Sequence, residues 1–204
     1  MKKLNAFLAA LVMLAGAAAV RAEAPAVGSA APDFTLPDSD GTNHKLSQHK
    51  GKYVVLEWTN PGCPFVRKHY DSGNMQKLQA EFVKKGVVWL AVDSSAPGKE
   101  GALDGDSAKD AKNGDYAAAS ALLLDHDGKV GHLYGATNTP HMYIVDPEGK
   151  LIYSGAIDSV ASADKNDIAK ATNYVRTALD EALGGKPVTK ASSKAYGCSV
   201  KYKG

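Results

Sequence analysis

Cys63 is the residue with the most chemistry in its surroundings. It stands in the run YVVLEWTNPGCPFVRKHY, residues 53–70. Residues 53–58 are apolar, β-branched and aromatic over the length of a strand. Asn60, Pro61 and Gly62 then interrupt with three turn formers. Pro64 follows the cysteine at a helix's first position, where its missing N–H costs nothing. This pattern predicts a buried strand turning into a helix, with the sulfur facing unpaired N–H groups and the positive end of the helix dipole. Such surroundings favour thiolate and bring a cysteine pKa from about 8.5 to somewhere between about 3.5 and 7.5. The thiolate is the reactive form, so the junction reads as a redox site. Trp58 either lines that site or is plain core. Arg67, one turn into the helix, stands either to stabilise the thiolate or as an ordinary surface arginine.

The first residues set the compartment. Residues 1–22 have the composition of a secretory signal peptide: Lys2 and Lys3, then a mostly apolar stretch, then Val20-Arg21-Ala22. An uncleaved anchor fits less well, because the stretch is Ala- and Gly-rich and short for a span. Loss of the leader takes the formal charge from +2 to about −1, which removes any electrostatic case for nucleic acid or an anionic membrane as partner. About 180 residues remain, ordinary for one domain. The expected divisions are a leader at 1–22, a domain at 25–185 and a polar tail at 186–204. An exported chain meets an oxidising compartment, expected to be the periplasm. Its two cysteines, Cys63 and Cys198, are too few for a disulfide-stapled scaffold or a thiolate zinc site.

The elements that would position Cys63 follow from periodicity. Residues 33–36 and 44–46 form a hairpin across Asp40-Gly41. After the strand at 53–58, one helix runs from 64 to about 85, kinked at Ser72-Gly73-Asn74, and Gly86 stops it. Residues 87–92 are a second buried strand. Residues 94–119, rich in Gly, Asp, Lys, Ser and Ala, are expected to be a surface insertion with one or two short helices, its acid cluster solvated. The acids Asp104, Asp106 and Asp110 lack the alternation of a calcium loop. Strands at 121–124, 142–145 and 151–153 and a short helix at 129–134 follow. Ile168, Ala171, Val175, Ala178, Leu179 and Ala182 trace a closing helix. Together these predict an α/β fold, a mixed sheet flanked by helices with an N-terminal hairpin and a surface insertion.

At this point the chain resembles the thioredoxin-like superfamily, in its redoxin or AhpC/TSA branch. The resemblance rests on APDFTLPDSDGTNHKLSQHKGKYVVLEW, on the cysteine beyond Trp58, on Thr139-Pro140 before MYIV, and on DPEGKLIYSGAID. It implies a thioredoxin-like fold in which Pro140 is cis and sits against the sulfur, with the Thr139 backbone available to a bound partner. Two departures stand out. The second cysteine of the thioredoxin pair is Val66 here, in Cys63-Pro64-Phe65-Val66. At the positions of the peroxiredoxin proline and threonine stand Leu56 and Asn60. The nearest likeness is a peroxiredoxin-like subgroup with a single motif cysteine.

Could Cys198 be the absent partner? From Gly184 its segment can reach about 45 Å, against a domain about 40 Å across. Three readings stand: a redox-active pair with Cys63, a static disulfide pinning the tail, or two independent thiols. The expected activity is thiol–disulfide exchange, with Cys63 attacking and Cys198 or an external thiol resolving. Asn60, Pro61 and Gly62 would shape the loop, and Thr139 and Pro140 would hold the partner. Thiol or disulfide substrates and an external reductant are the expected partners, with no organic cofactor and no stable membrane association after cleavage. The alternatives are a weak thiol peroxidase and a non-catalytic binding module for a thiol or for copper. Of the histidines only His141 adjoins a motif, so a copper site would pair it with Cys63.

Overall fold

The structure, a computed structural model, describes residues 24–204. The expected leader lies outside the described residues. Among them no helix is long and apolar enough to cross a membrane.

A five-stranded mixed sheet forms the middle layer. Its strands are β3 (Val54–Trp58), β4 (Val88–Asp93), β5 (Ala121–Leu124), β7 (His141–Val145) and β8 (Leu151–Gly155), in the order β5-β4-β3-β7-β8. β3, β4 and β5 run parallel; β7 and β8 are antiparallel to their neighbours. The central strands β3, β4 and β7 are buried throughout, as strands covered on both faces must be.

Alternation divides their side chains between two cores. Val55, Trp89, Ala91, Met142 and Ile144 face the core that contains Cys63. Val54, Leu56, Trp58, Leu90, Val92 and Tyr143 face the other. The first core is covered by α1 (Pro64–Asp71), α2 (Asn74–Lys84), α3 (Gly105–Asn113) and α5 (Tyr174–Leu183). The second lies under the hairpin β1 (Thr35–Pro37)/β2 (Asn43–Lys45) and α4 (Lys129–Tyr134). A short pair completes the fold: β6 (Asn138–Thr139) with β9 (Cys198–Ser199). This is the thioredoxin-like α/β arrangement expected from the sequence.

Three details differ from expectation. The helix after Cys63 is broken into α1 and α2, because Gly73 adopts φ +71, a left-handed turn that no right-handed helix can absorb. The closing helix begins at Tyr174. Asn173 caps it through a 2.9 Å bond accepted from the Arg176 N–H, leaving Ile168 and Ala171 in and beside a separate 3₁₀ turn. The third concerns residues 94–119, where α3 is the short helix expected and Asp104, Asp106 and Asp110 are exposed, but the segment as a whole is fastened to the core. Ala96, Leu103, Ala108, Tyr116 and Ala119 are buried, and the buried Asp93 carboxylate accepts from the N–H groups of Ser95 and Leu103 at 2.8 Å each. A few apolar residues spread through a polar segment are enough to fasten it down. Within it, Asp104 takes part in starting α3, its N–H bonded to Ser107 Oγ at 2.9 Å.

Candidate functional site around Cys63

Cys63 occupies the N-cap of α1, with extended backbone (φ −81, ψ 122) and Pro64 at the first helical position. Its N–H donates to Asn60 O at 3.0 Å, and its carbonyl accepts from Val66 and Arg67. Asn60 holds the preceding turn: Oδ1 accepts from the Gly62 N–H at 2.7 Å, and Nδ2 donates to Ser95 Oγ at 3.0 Å and Glu100 O at 2.8 Å. Asn60 thus ties the cysteine loop to the 94–119 segment. Pro61 is half-buried; Gly62 and Pro64 are exposed.

Cys63 is buried, with 2% of the residue exposed. As a thiol it donates to Thr139 O at 3.1 Å. Thr139 precedes Pro140 through a cis peptide bond, in keeping with the resemblance. Burial is the largest influence on Cys63 and pushes its pKa up. Against it stand the Cys198 thiol and N–H, the Thr139 hydroxyl and the Val66 N–H, which together hold the thiol below its ordinary value.

Cys198 lies directly opposite Thr139 in the β6/β9 pair. Both cysteines are free thiols. Burial, followed by the adjacent Cys63, pushes the Cys198 thiol up to about 11. The two sulfurs are therefore unequal: Cys63 gives up its proton before Cys198 does.

Two residues expected at the site are elsewhere. Trp58 points across the sheet, because β3 alternation puts it in the opposite core. Its Nε1 donates to Ser94 Oγ at 3.0 Å, and its ring packs on Tyr134 and Tyr143. Arg67 is engaged by Asp71 and Asp115, so its charge serves two carboxylates rather than the thiolate. His141, too, faces away from Cys63. Its ring stacks on Tyr143 with centroids 4.5 Å apart, and no cluster of three metal-ligating side chains exists among the described residues.

Burial lowers the His141 pKa to about 4. An unfolded histidine takes up its proton near pH 6.5 while the folded one does not, so stability is lost as pH falls from about 6.5 towards 4. The share from His141 is about 3 kcal/mol. His141→Phe keeps the stack on Tyr143 and is expected to shrink the difference in urea stability between pH 7 and pH 4 by about that amount.

Sequence reasoning overlooked Glu57. It is fully buried on the Cys63 side of the sheet, accepting from Tyr70 Oη at 2.7 Å, Gln79 Nε2 at 3.0 Å and Trp89 Nε1 at 2.7 Å. Burial raises its pKa despite those donors. The available signal was one acid inside an apolar strand, out of phase with Trp58. A second buried group was also missed. Lys68 Nζ lies 3.5 Å from Asp158 Oδ2, and Tyr196 Oη donates to Asp158 Oδ1 at 2.5 Å.

The site can be compared with known proteins. Thiol-disulfide oxidoreductase ResA of Geobacillus thermodenitrificans is 30% identical over 128 residues, covering 63% of this chain and 68% of that protein. Among solved structures, an uncharacterized conserved protein from Geobacillus kaustophilus superposes with TM-score 0.73 at 26% identity, over 87% of this chain and 93% of that one. The thioredoxin domain of a thiol-disulfide oxidoreductase from Bacteroides vulgatus gives 0.50 at 29% identity, over 71% and 96%. Residues 27–154, the stretch holding the cysteine junction, the cis proline and most of the sheet, match the model of the AhpC/TSA family, and the chain belongs to that family.

Proposed function

We propose that this chain is an exported thiol–disulfide oxidoreductase in which Cys63 attacks and Cys198 resolves. The observation that carries the reading is the register of β6 and β9, which sets Cys198 opposite Thr139 and beside the sulfur of Cys63. The named oxidoreductases among its relatives support the activity; the composition of the leader supports export.

Cys63 thiolate attacks one sulfur of a substrate disulfide. A Cys63–substrate disulfide forms, the substrate S–S bond breaks, and the departing thiolate takes a proton from water. Cys198, losing its proton, then attacks the Cys63 sulfur. The Cys63–Cys198 disulfide forms and the second substrate thiol leaves. Two electrons pass from the protein dithiol to the substrate, and an external dithiol restores them. The unequal sulfurs order these steps. While Cys63 is an anion it holds the Cys198 pKa up. Once Cys63 is in a mixed disulfide that charge is gone, and Cys198 ionises more easily. Asn60, Pro61 and Gly62 shape the attacking loop, Pro64 opens the helix, and Thr139 and Pro140 position the partner.

A second reading, thiol peroxidase, is favoured by the burial of Cys63, 2% exposed as a residue, since peroxide needs little room. Cys63 would take one peroxide oxygen to become sulfenic acid, releasing hydroxide, and condensation with Cys198 would release water. Supplying peroxide or a small disulfide as sole oxidant, with intact mass as readout, distinguishes the two by relative rate.

Alkylation of Cys63 as a function of pH tests the shared premise. Its midpoint is expected below that of an ordinary thiol. Cys198→Ala deletes one donor to a charged acceptor, so the midpoint rises and the rate at pH 7 falls about three- to tenfold. A wild-type midpoint at the free-cysteine value would end the proposal.

A further inference from the structure

The backbone edge beside Cys63 is already occupied. β9 pairs antiparallel with β6, Asn138 opposite Ser199 and Thr139 opposite Cys198. Asn138 Nδ2 donates to Gly197 O at 2.9 Å, and the Val200 N–H donates to Thr137 O at 3.1 Å. The chain's own tail thus displays what this edge accepts: an extended segment whose cysteine is delivered to Cys63. Most of the contacts are to backbone, so another extended chain could make them equally well. Cys198 and its neighbours are half-buried or exposed, and little core is given up when they leave.

Several features hold the tail in place; downstream of the strand, the Lys201 carbonyl accepts from the Ala96 N–H at 2.8 Å and the Tyr202 hydroxyl donates to Ala136 O at 2.7 Å. Gly197 has φ +113, and a Cβ built there would collide with the Thr139 carbonyl, so the close approach requires glycine. Tyr196 acts as a latch: its hydroxyl reaches Asp158, its ring meets Phe65 with centroids 5.9 Å apart, and Lys68 Nζ lies 5.9 Å from the ring centre. Upstream, Ser193 is fastened to the sheet through Tyr153 Oη at 2.8 Å and the Ala156 N–H at 2.9 Å. Between anchor and latch stand Lys194 and Ala195.

We propose that residues 196–200 form a displaceable strand covering the Cys63 edge, and that its release admits an extended, disulfide-bearing polypeptide in the same antiparallel pose. The proposal rests on Cys63 as the attacking thiolate. With the strand docked, the site takes small disulfides. With it released, Cys63 attacks one sulfur of the polypeptide disulfide, a Cys63–polypeptide disulfide forms, and the other sulfur departs as a thiolate that water protonates.

The test uses Cys198→Ser, in which Cys63 is the single thiol. Two probes are compared by stopped-flow release of thionitrobenzoate: Ellman's reagent, and a short unstructured peptide carrying cysteine as its thionitrobenzoate mixed disulfide. The readout is the ratio of peptide rate to small-reagent rate, which cancels changes in the reactivity of the sulfur itself. Adding Gly197→Ala strains the docked strand and is expected to raise the ratio about tenfold. A chain ending at Ala195, lacking the strand altogether, is expected to raise it at least as far. Tyr196→Phe removes the bond to Asp158 and keeps the ring, giving a smaller rise. An unchanged ratio in the shortened chain overturns the gate while Cys63 still reacts. Failure of Cys63 to react with either probe in every variant overturns the oxidoreductase reading instead.

Discussion

Cys198→Ser is expected to leave a protein that takes up half of a disulfide substrate and stops. Cys63 keeps the Val66 N–H, the Thr139 hydroxyl and the N–H of residue 198 as donors, so the first attack proceeds. The second has lost its nucleophile. An external thiol at millimolar concentration must replace a group held across a β-pair, and well-oriented intramolecular groups act at effective concentrations far above that. Steady-state disulfide reduction should therefore fall by about two orders of magnitude or more. Intact mass gives the complementary reading: wild type loses two protons on oxidation, whereas the variant gains the mass of one substrate thiol at Cys63. Cys63→Ser should show neither. Turnover by Cys198→Ser at the wild-type rate would mean that Cys198 does not resolve the intermediate and that the tail plays some other part.

The cysteine junction was legible because each of its parts is local. Strand, turn and helix start are encoded in consecutive residues, and Cys63 at the N-cap with Pro64 behind it needs no tertiary information. The two cores were legible for a similar reason: period-two alternation in β3, β4 and β7 assigns every side chain to a face. That same alternation, followed strictly from Val55, would have put Trp58 on the far side and Glu57 on the Cys63 side. Of the two readings of Trp58, the site-lining one follows nearness in sequence and the core one follows parity. Of the two readings of Arg67, the surface one accords with its engagement by two carboxylates. Its neighbour Asp71 is one turn along the same helix, but Asp115 comes from a segment whose polar composition concealed its packing.

The tail marks where sequence reasoning ends. Chain length permitted Cys198 to reach Cys63, yet pairing of β9 with β6 is a backbone event with no side-chain periodicity to betray it. Its sequence trace is Gly197, whose missing Cβ lets the strand approach Thr139. The attachment of the segment between Asp93 and Ala121 escapes a compositional reading because a few apolar anchors, Leu103, Ala108 and Tyr116, carry it. Tyr116 also reaches Thr59, hydroxyl to hydroxyl at 2.9 Å, so this segment buttresses the strand end from which the cysteine loop departs.

Asp158→Ala is expected to be among the most destabilising single changes. Lys68 and Asp158 are both buried, 3.5 Å apart. His69 lies 3.7 Å from the same carboxylate, but burial, with Lys68 adding to it, lowers its pKa to about 4 against the pull of Asp158. It is therefore neutral at pH 7, and the ion pair belongs to Lys68. Removing the carboxylate strands an ammonium whose remaining bond is to Val160 O at 3.1 Å, and frees the Tyr196 hydroxyl as well. Breaking a buried pair in this way costs about 3–5 kcal/mol, to be read from the urea midpoint at unchanged m-value. Lys68→Met should cost a comparable amount by leaving the carboxylate behind. The double variant Lys68→Met/Asp158→Leu should recover much of either loss, since no charge is then buried without its partner. Strict additivity in that cycle would show that the two groups do not depend on each other. Because Lys68 sits in α1 and Asp158 receives the Tyr196 hydroxyl, the pair joins the helix that starts at Cys63 to the strand that brings Cys198. Loosening it should accordingly raise the alkylation rate of Cys198, because the Tyr196–Asp158 bond lost on the tail side is one of those that hold the strand down.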